Sequence, residues 1–116
     1  MLTIQLQEDL LEVNQLLSGR FYWTGDKTPK QINLTVSWRT QGRGTVDSET
    51  IYSNSFTELT ASDFSCKLPA LGPISYDGQI LRVIWEVSVE AIFPGILSRK
   101  QRKKEVKMFR VIPKGG

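Results

Sequence analysis

The sequence predicts an all-β protein, an antiparallel β-sandwich of about seven strands in one unit spanning residues 1–116, and three observations carry that prediction. Ile32, Leu34, Val36 and Trp38 alternate with Asn33, Thr35 and Ser37, the pattern of a strand with one face in the core and one in water. Leu81, Val83, Trp85, Val87 and Val89 alternate in the same way over a longer run. Turn residues punctuate the chain throughout, and no stretch shows convincing helical periodicity.

Taken in order, Leu2, Ile4 and Leu6 alternate with Thr3 and Gln5 as a short opening strand. A longer strand is expected from Leu11 to Trp23, with Leu11, Val13, Leu17, Gly19, Phe21 and Trp23 favouring one face. Gly25, Asp26 and Pro29 end it. The strand at Ile32–Trp38 leads into a flexible hairpin tip from Arg39 to Thr45, and a weaker strand follows near Glu49 to Phe56. Phe64, Cys66 and Leu68 alternate before a proline turn. Phe93-Pro94-Gly95 ends the strand that contains Trp85, and a final strand covers roughly Lys103 to Ile112. Trp38 and Trp85 occupy the apolar phase of their strands, which assigns them to the core and not to a carbohydrate platform.

A chain of 116 residues buries roughly two thirds of its unfolded surface and needs no covalent staple. Cys66 is the only cysteine, so an intramolecular disulfide and a four-thiolate zinc site are both excluded; its alternation with Phe64 and Leu68 makes it a small buried hydrophobe. There is no histidine, which removes Ser-His-Asp and Cys-His catalysis and the commonest metal ligand. Asp26, Asp47, Glu49, Asp63 and Asp77 are dispersed over turns without calcium-loop spacing. No catalytic residue, cofactor or metal is expected, and the chain is expected not to be an enzyme. Glu8, Asp9 and Glu12 stand where a signal peptide needs an apolar core, and no apolar run is long enough to span a bilayer, so a cytoplasmic location is expected.

From the end of the third-last expected strand into the second-last, the chain reads Leu68-Pro69, then Pro73-Ile74-Ser75-Tyr76-Asp77-Gly78, then Val83-Ile84-Trp85-Glu86-Val87-Ser88-Val89. The prolines fix φ and remove backbone donors, and Gly78 permits positive φ. This corner and strand resemble those of the arrestin-like β-sandwich family, whose bacterial single-domain and sporulation-control members are the closer comparison. Gly19 before an aromatic strand and the long hairpin beyond Trp38 suit the same sandwich, so the resemblance spans most of the chain. It implies an immunoglobulin-like, arrestin-like domain that holds partners through edges and loops without catalysis. Better-known members carry two such sandwiches where this chain has room for one, and the phosphoreceptor binding of signalling arrestins, which uses a buried charged cluster, is not carried over.

The net charge of +3 is unevenly placed. Residues 1–98 carry seven Lys or Arg against eleven Asp or Glu, a balance of −4, while residues 99–116 carry eight against one, a balance of +7. Arg99-Lys100-Gln101-Arg102-Lys103-Lys104 is the densest part and the main candidate for binding an anionic partner, either an acidic peptide or a membrane surface. Its alternative role is an edge strand whose lysines prevent aggregation. No aromatic stacking platform is interleaved with it, so there is no specific nucleic-acid signal. Arg39 and Arg43, on the expected hairpin tip, and the loop at Ser75 to Gly78 are further candidates. The functional expectation is a protein-interaction or scaffold module. The alternative is an assembly subunit that self-associates through an exposed sheet edge. Neither the partner's identity nor the oligomeric state follows from the sequence.

Overall fold

The computed structural model describes residues 1–42, 47–70, 73–77, 81–94 and 101–113, with Asp77, Leu81 and Gln101 described by their backbone alone. Nine strands run through them: β1 (Leu2–Leu6), β2 (Leu10–Glu12), β3 (Leu16–Trp23), β4 (Gln31–Gly42), β5 (Ser48–Thr57), β6 (Ala61–Lys67), β7 (Tyr76–Asp77), β8 (Leu81–Phe93) and β9 (Gln101–Ile112). One sheet has the order β1-β3-β6. The other has the order β2-β9-β8-β4-β5, with β7 also paired to β8.

The all-β expectation holds, and three details of it change. The expected strand from Leu11 to Trp23 is two strands in different sheets. Asn14 has a φ of 67°, a left-handed conformation that asparagine tolerates and that ends an extended run. The Gln15 N–H donates to the Glu12 carbonyl at 3.2 Å, and the Glu12 N–H donates to Gln15 Oε1 at 2.8 Å, closing a turn between β2 and β3. The pairing is also not wholly antiparallel: β2 lies parallel to β9, Leu10 opposite Arg110 and Glu12 opposite Ile112. With β2 and β7 counted, the described strands number nine and not about seven.

The spine of the larger sheet is the β4–β8 ladder, unbroken from Gln31 opposite Ile92 to Gly42 opposite Leu81. Period-two alternation turns Ile32, Leu34 and Val36 of β4 and Trp85, Val87, Val89, Ala91 and Phe93 of β8 to one face, where all are buried. β3 contributes Leu17 and Phe21 from the smaller sheet, β1 adds Leu2 and Ile4, and β6 adds Phe64 and Cys66; these side chains form one core cluster with those of the larger sheet. Phe21 meets Phe56 at a ring separation of 5.1 Å, and Trp23 meets Phe93 at 4.9 Å, so tilted aromatic pairs join the two sheets. Opposite β4, the register of β5 slips between Tyr52 and Thr50, leaving Ile51 as an extra residue.

Cys66 is buried within this cluster, as its phase predicts. Desolvation disfavours the thiolate and pushes its pKa from 9.0 up to about 11. The folded state therefore retains a proton that the unfolded chain loses, and stability falls as pH rises through the interval between those two values. Wild type should lose more stability between pH 9 and 11 than Cys66→Ala does, by denaturant titration at each pH. Equal slopes for the two chains would place the thiol in water.

Among the described residues no helix is long and apolar enough to cross a membrane.

Candidate functional site

The Pro73–Asp77 corner acts as a wedge. β8 and β9 pair antiparallel from Phe93 opposite Gln101 to Trp85 opposite Phe109, and beyond Trp85 they part. The corner enters the opening. Tyr76 pairs with Val83 of β8, while on the other side the Ser75 N–H donates to the Val111 carbonyl at 2.7 Å and Ser75 Oγ accepts from the Val111 N–H at 2.8 Å. The Trp85 indole N–H donates to the Pro73 carbonyl at 2.8 Å. Three polar groups of the fork, the Val111 N–H and C=O and the Trp85 indole N–H, are thereby satisfied, which explains why a serine and a tryptophan stand where they do. Gly78 lies outside the described residues.

The outer face of the larger sheet, away from the core, holds three of the predicted binding residues, Arg39, Arg102 and Lys104. Arg39 is a β4 residue opposite Ile84 and not part of a hairpin tip, because β4 runs on to Gly42 against the long β8. Arg102 is opposite Ile92. Both isoleucines point away from the core and are nevertheless 8% and 9% exposed, and each has the aliphatic stem of an arginine as its cross-strand neighbour. The guanidiniums pair with carboxylates on β8: Arg39 with Glu86 at 3.5 Å and Arg102 with Glu90 at 3.0 Å. Such exposed pairs contribute at most about 1 kcal/mol each. Ile84 and Ile92 are eight residues apart on β8, so the two arginines stand about 26 Å apart and do not share a small ligand.

The basic segment is divided by the pleat of β9. Arg102 and Lys104 lie on the outer face beside Ile92 and Glu90, while Lys103 and Lys107 lie on the core-side face beside Ala91 and Val87. Every side chain from Arg102 to Met108 is exposed, so neither face of this stretch is covered. Val106 and Met108, whose apolar character suggests burial, are 39% and 60% exposed; Phe109 and Val111 are buried where the strand reaches the core. Lys103, Lys104 and Lys107 form no ion pair among the described residues. Lys107 belongs to the same cationic stretch although it lies outside the densest run of the sequence; its period-two relation to Lys103 and Glu105 is the signal that finds it. Arg99, Lys100 and Arg43 lie outside the described residues.

The concavities supply little chemistry. One, about 620 Å3, is bordered by Gln5, Gly19, Tyr52 and Phe56, and its two charged residues, Arg20 and Asp63, are exposed and stand 4.0 Å apart. A second, about 360 Å3, lies at the β8–β9 fork between Ile84, Met108, Arg82 and Arg110. Among the described residues no polar or charged side chain is buried, and no group of acidic or cysteine side chains is placed to hold a metal ion.

The arrangement is an all-β fold of two sheets around one core. Spo0M, a sporulation control protein from Bacillus subtilis, has a similar solved structure, with a TM-score of 0.63 and 19% sequence identity. The similarity covers 95% of this chain and 48% of that one, so this chain spans about half the length of its structural neighbour. No family model matches the sequence, and no curated protein matches it.

Proposed function

We propose that this chain is a non-catalytic interaction module of arrestin-like fold, working as one unit in the cytoplasm, whose β9 segment binds an anionic partner. The observation that carries this reading is the exposure of both faces of β9 from Arg102 to Met108, with four cations there against the single anion Glu105. Packing does not require these side chains, because the core begins at Phe109. Regulation by Spo0M, a sporulation control protein of the same fold, is compatible with an interaction role here.

The test is to neutralise Arg99, Lys100, Arg102, Lys103 and Lys104 together and measure binding to acidic peptides and anionic vesicles at two salt concentrations. Wild type should bind with an affinity that falls as salt rises, and the neutralised chain should bind at least ten-fold more weakly, about 1.4 kcal/mol. Equal affinities at both salt concentrations would overturn the proposal.

A further inference from the structure

We infer that the outer edge of β9, from Arg102 to Val106, takes up an acidic, extended peptide segment by strand addition. This rests on the reading of β9 as an anion-binding segment and specifies how the partner is held. The direction of the backbone groups follows from two hydrogen bonds. The Arg110 N–H donates outward, to the Asp9 carbonyl at 2.8 Å, while the Val111 N–H points the other way, into the fork, toward Ser75. Successive residues of a strand alternate in this direction, and the β8–β9 register has no break from Gln101 to Phe109. The odd residues therefore bond to β8, and Arg102, Lys104 and Val106 direct N–H and C=O away from the sheet.

No described strand pairs with that edge, since β2 meets β9 only from Arg110 to Ile112. One of its donors has a makeshift partner: the Val106 N–H reaches the carboxylate of its own neighbour, Glu105 Oε1, at 3.3 Å. An acidic group already occupies, weakly, a position that an incoming strand's carbonyl would take.

Charge decides the occupant. An added strand projects alternate side chains to the two faces of the sheet, and on β9 both faces are cationic: Arg102 and Lys104 on one, Lys103 and Lys107 on the other. Acidic residues on either face of the incoming strand meet positive charge. A second copy pairing through the same edge would instead bring together two segments that, from Arg102 to Lys107, each carry four cations and one anion. The edge from Arg102 to Val106 is about 17 Å long, enough to register a peptide backbone.

The experiment uses the intact chain and a peptide of alternating glutamate and valine about ten residues long. It compares the unmodified peptide with two versions N-methylated at alternate residues, one on each set. Methylation of one set should weaken binding ten-fold or more, and methylation of the other should change it less than three-fold, because only one set faces β9. Amide hydrogen exchange at Lys104 and Val106 should slow on binding. If all three peptides bind equally and lose affinity with salt, charge alone holds them: strand addition fails and the anion-binding reading stands. If phosphatidylserine vesicles bind and no peptide does, or if protection at Lys104 and Val106 appears without peptide as mass rises with concentration, a membrane or a second copy is the occupant and strand addition fails. If nothing anionic binds, both readings fail.

Discussion

Replacement of Trp85 by alanine is expected to lower stability by about 3 to 5 kcal/mol, a large share of the total of about 5 to 15 kcal/mol available to a small domain. The side chain is 1% exposed, its ring lies 5.8 Å from that of Phe109, and its indole N–H holds the Pro73 carbonyl. Truncation removes core volume and, at the same time, the hydrogen bond that seats the corner in the β8–β9 fork. A thermal midpoint roughly 12 °C or more below wild type is the expected reading. Trp85→Phe separates the two contributions. It keeps an aromatic ring against Phe109 and deletes the N–H donor, so the excess loss in Trp85→Ala reports the cavity. A midpoint for Trp85→Ala within a few degrees of wild type would mean that β8 does not face the core in this phase.

Gly19→Ala should cost at least the roughly 1 to 3 kcal/mol typical of overpacked cores. A Cβ at position 19 would lie 2.5 Å from the Gln5 carbonyl oxygen and 2.8 Å from Phe64 Cζ. Phe64 can turn slightly, but Gln5 belongs to the β1 backbone paired with β3, and moving it shifts Leu2 and Ile4 in the core. The expected loss is therefore only partly recovered by adding Phe64→Leu, which relieves one of the two clashes. Denaturant midpoints of the single and double variants measure this. A Gly19→Ala chain as stable as wild type would show that β1 does not approach β3 so closely.

The parts of this structure legible in the sequence are those set by local alternation. β4 and β8 are each other's neighbours along their whole length, and each has one wet or half-covered face, so period two appears directly in Ile32–Trp38 and Trp85–Val89. The same rule failed between Leu11 and Trp23. There the apolar phase continues across Asn14 while the chain changes sheets, and Leu11 and Leu17 are both buried on opposite sides of the turn. Phase reports burial and is silent about which sheet supplies it. The corner was legible as a rigid turn from Pro69, Pro73 and Gly78, but its use as a wedge depends on Val111, 36 residues away from Ser75, and no local signal encodes that pairing.

The basic segment was legible as charge but not as geometry. Five cations in six residues mark a place on the chain, whereas the split of Arg102 and Lys104 from Lys103 follows from the pleat, and the availability of the edge follows from how little of β9 is met by β2. Arg39 shows the converse. Its neighbours Gln41, Gly42 and Gly44 suggested a mobile tip, but β8 is long enough to carry β4 through to Gly42, so Arg39 became a paired residue on a sheet.

The fork filled by the corner and the parallel contact of β2 also bear on the order in which the chain can fold. Both depend on the same few residues, Arg110 to Ile112: Ser75 is tied to Val111, and β2 is tied to all three. Leu10 pairs with a residue one hundred positions later in the chain. Contacts so distant in sequence form only after a large loop has been closed, and topologies dominated by them fold slowly. During synthesis, β1, β3 and β6 can pair with one another and β4 with β5, while β2 has no strand to join until β9 is made. Residues 110–112 thus complete the two contacts, of β2 and of the corner, that must wait for them.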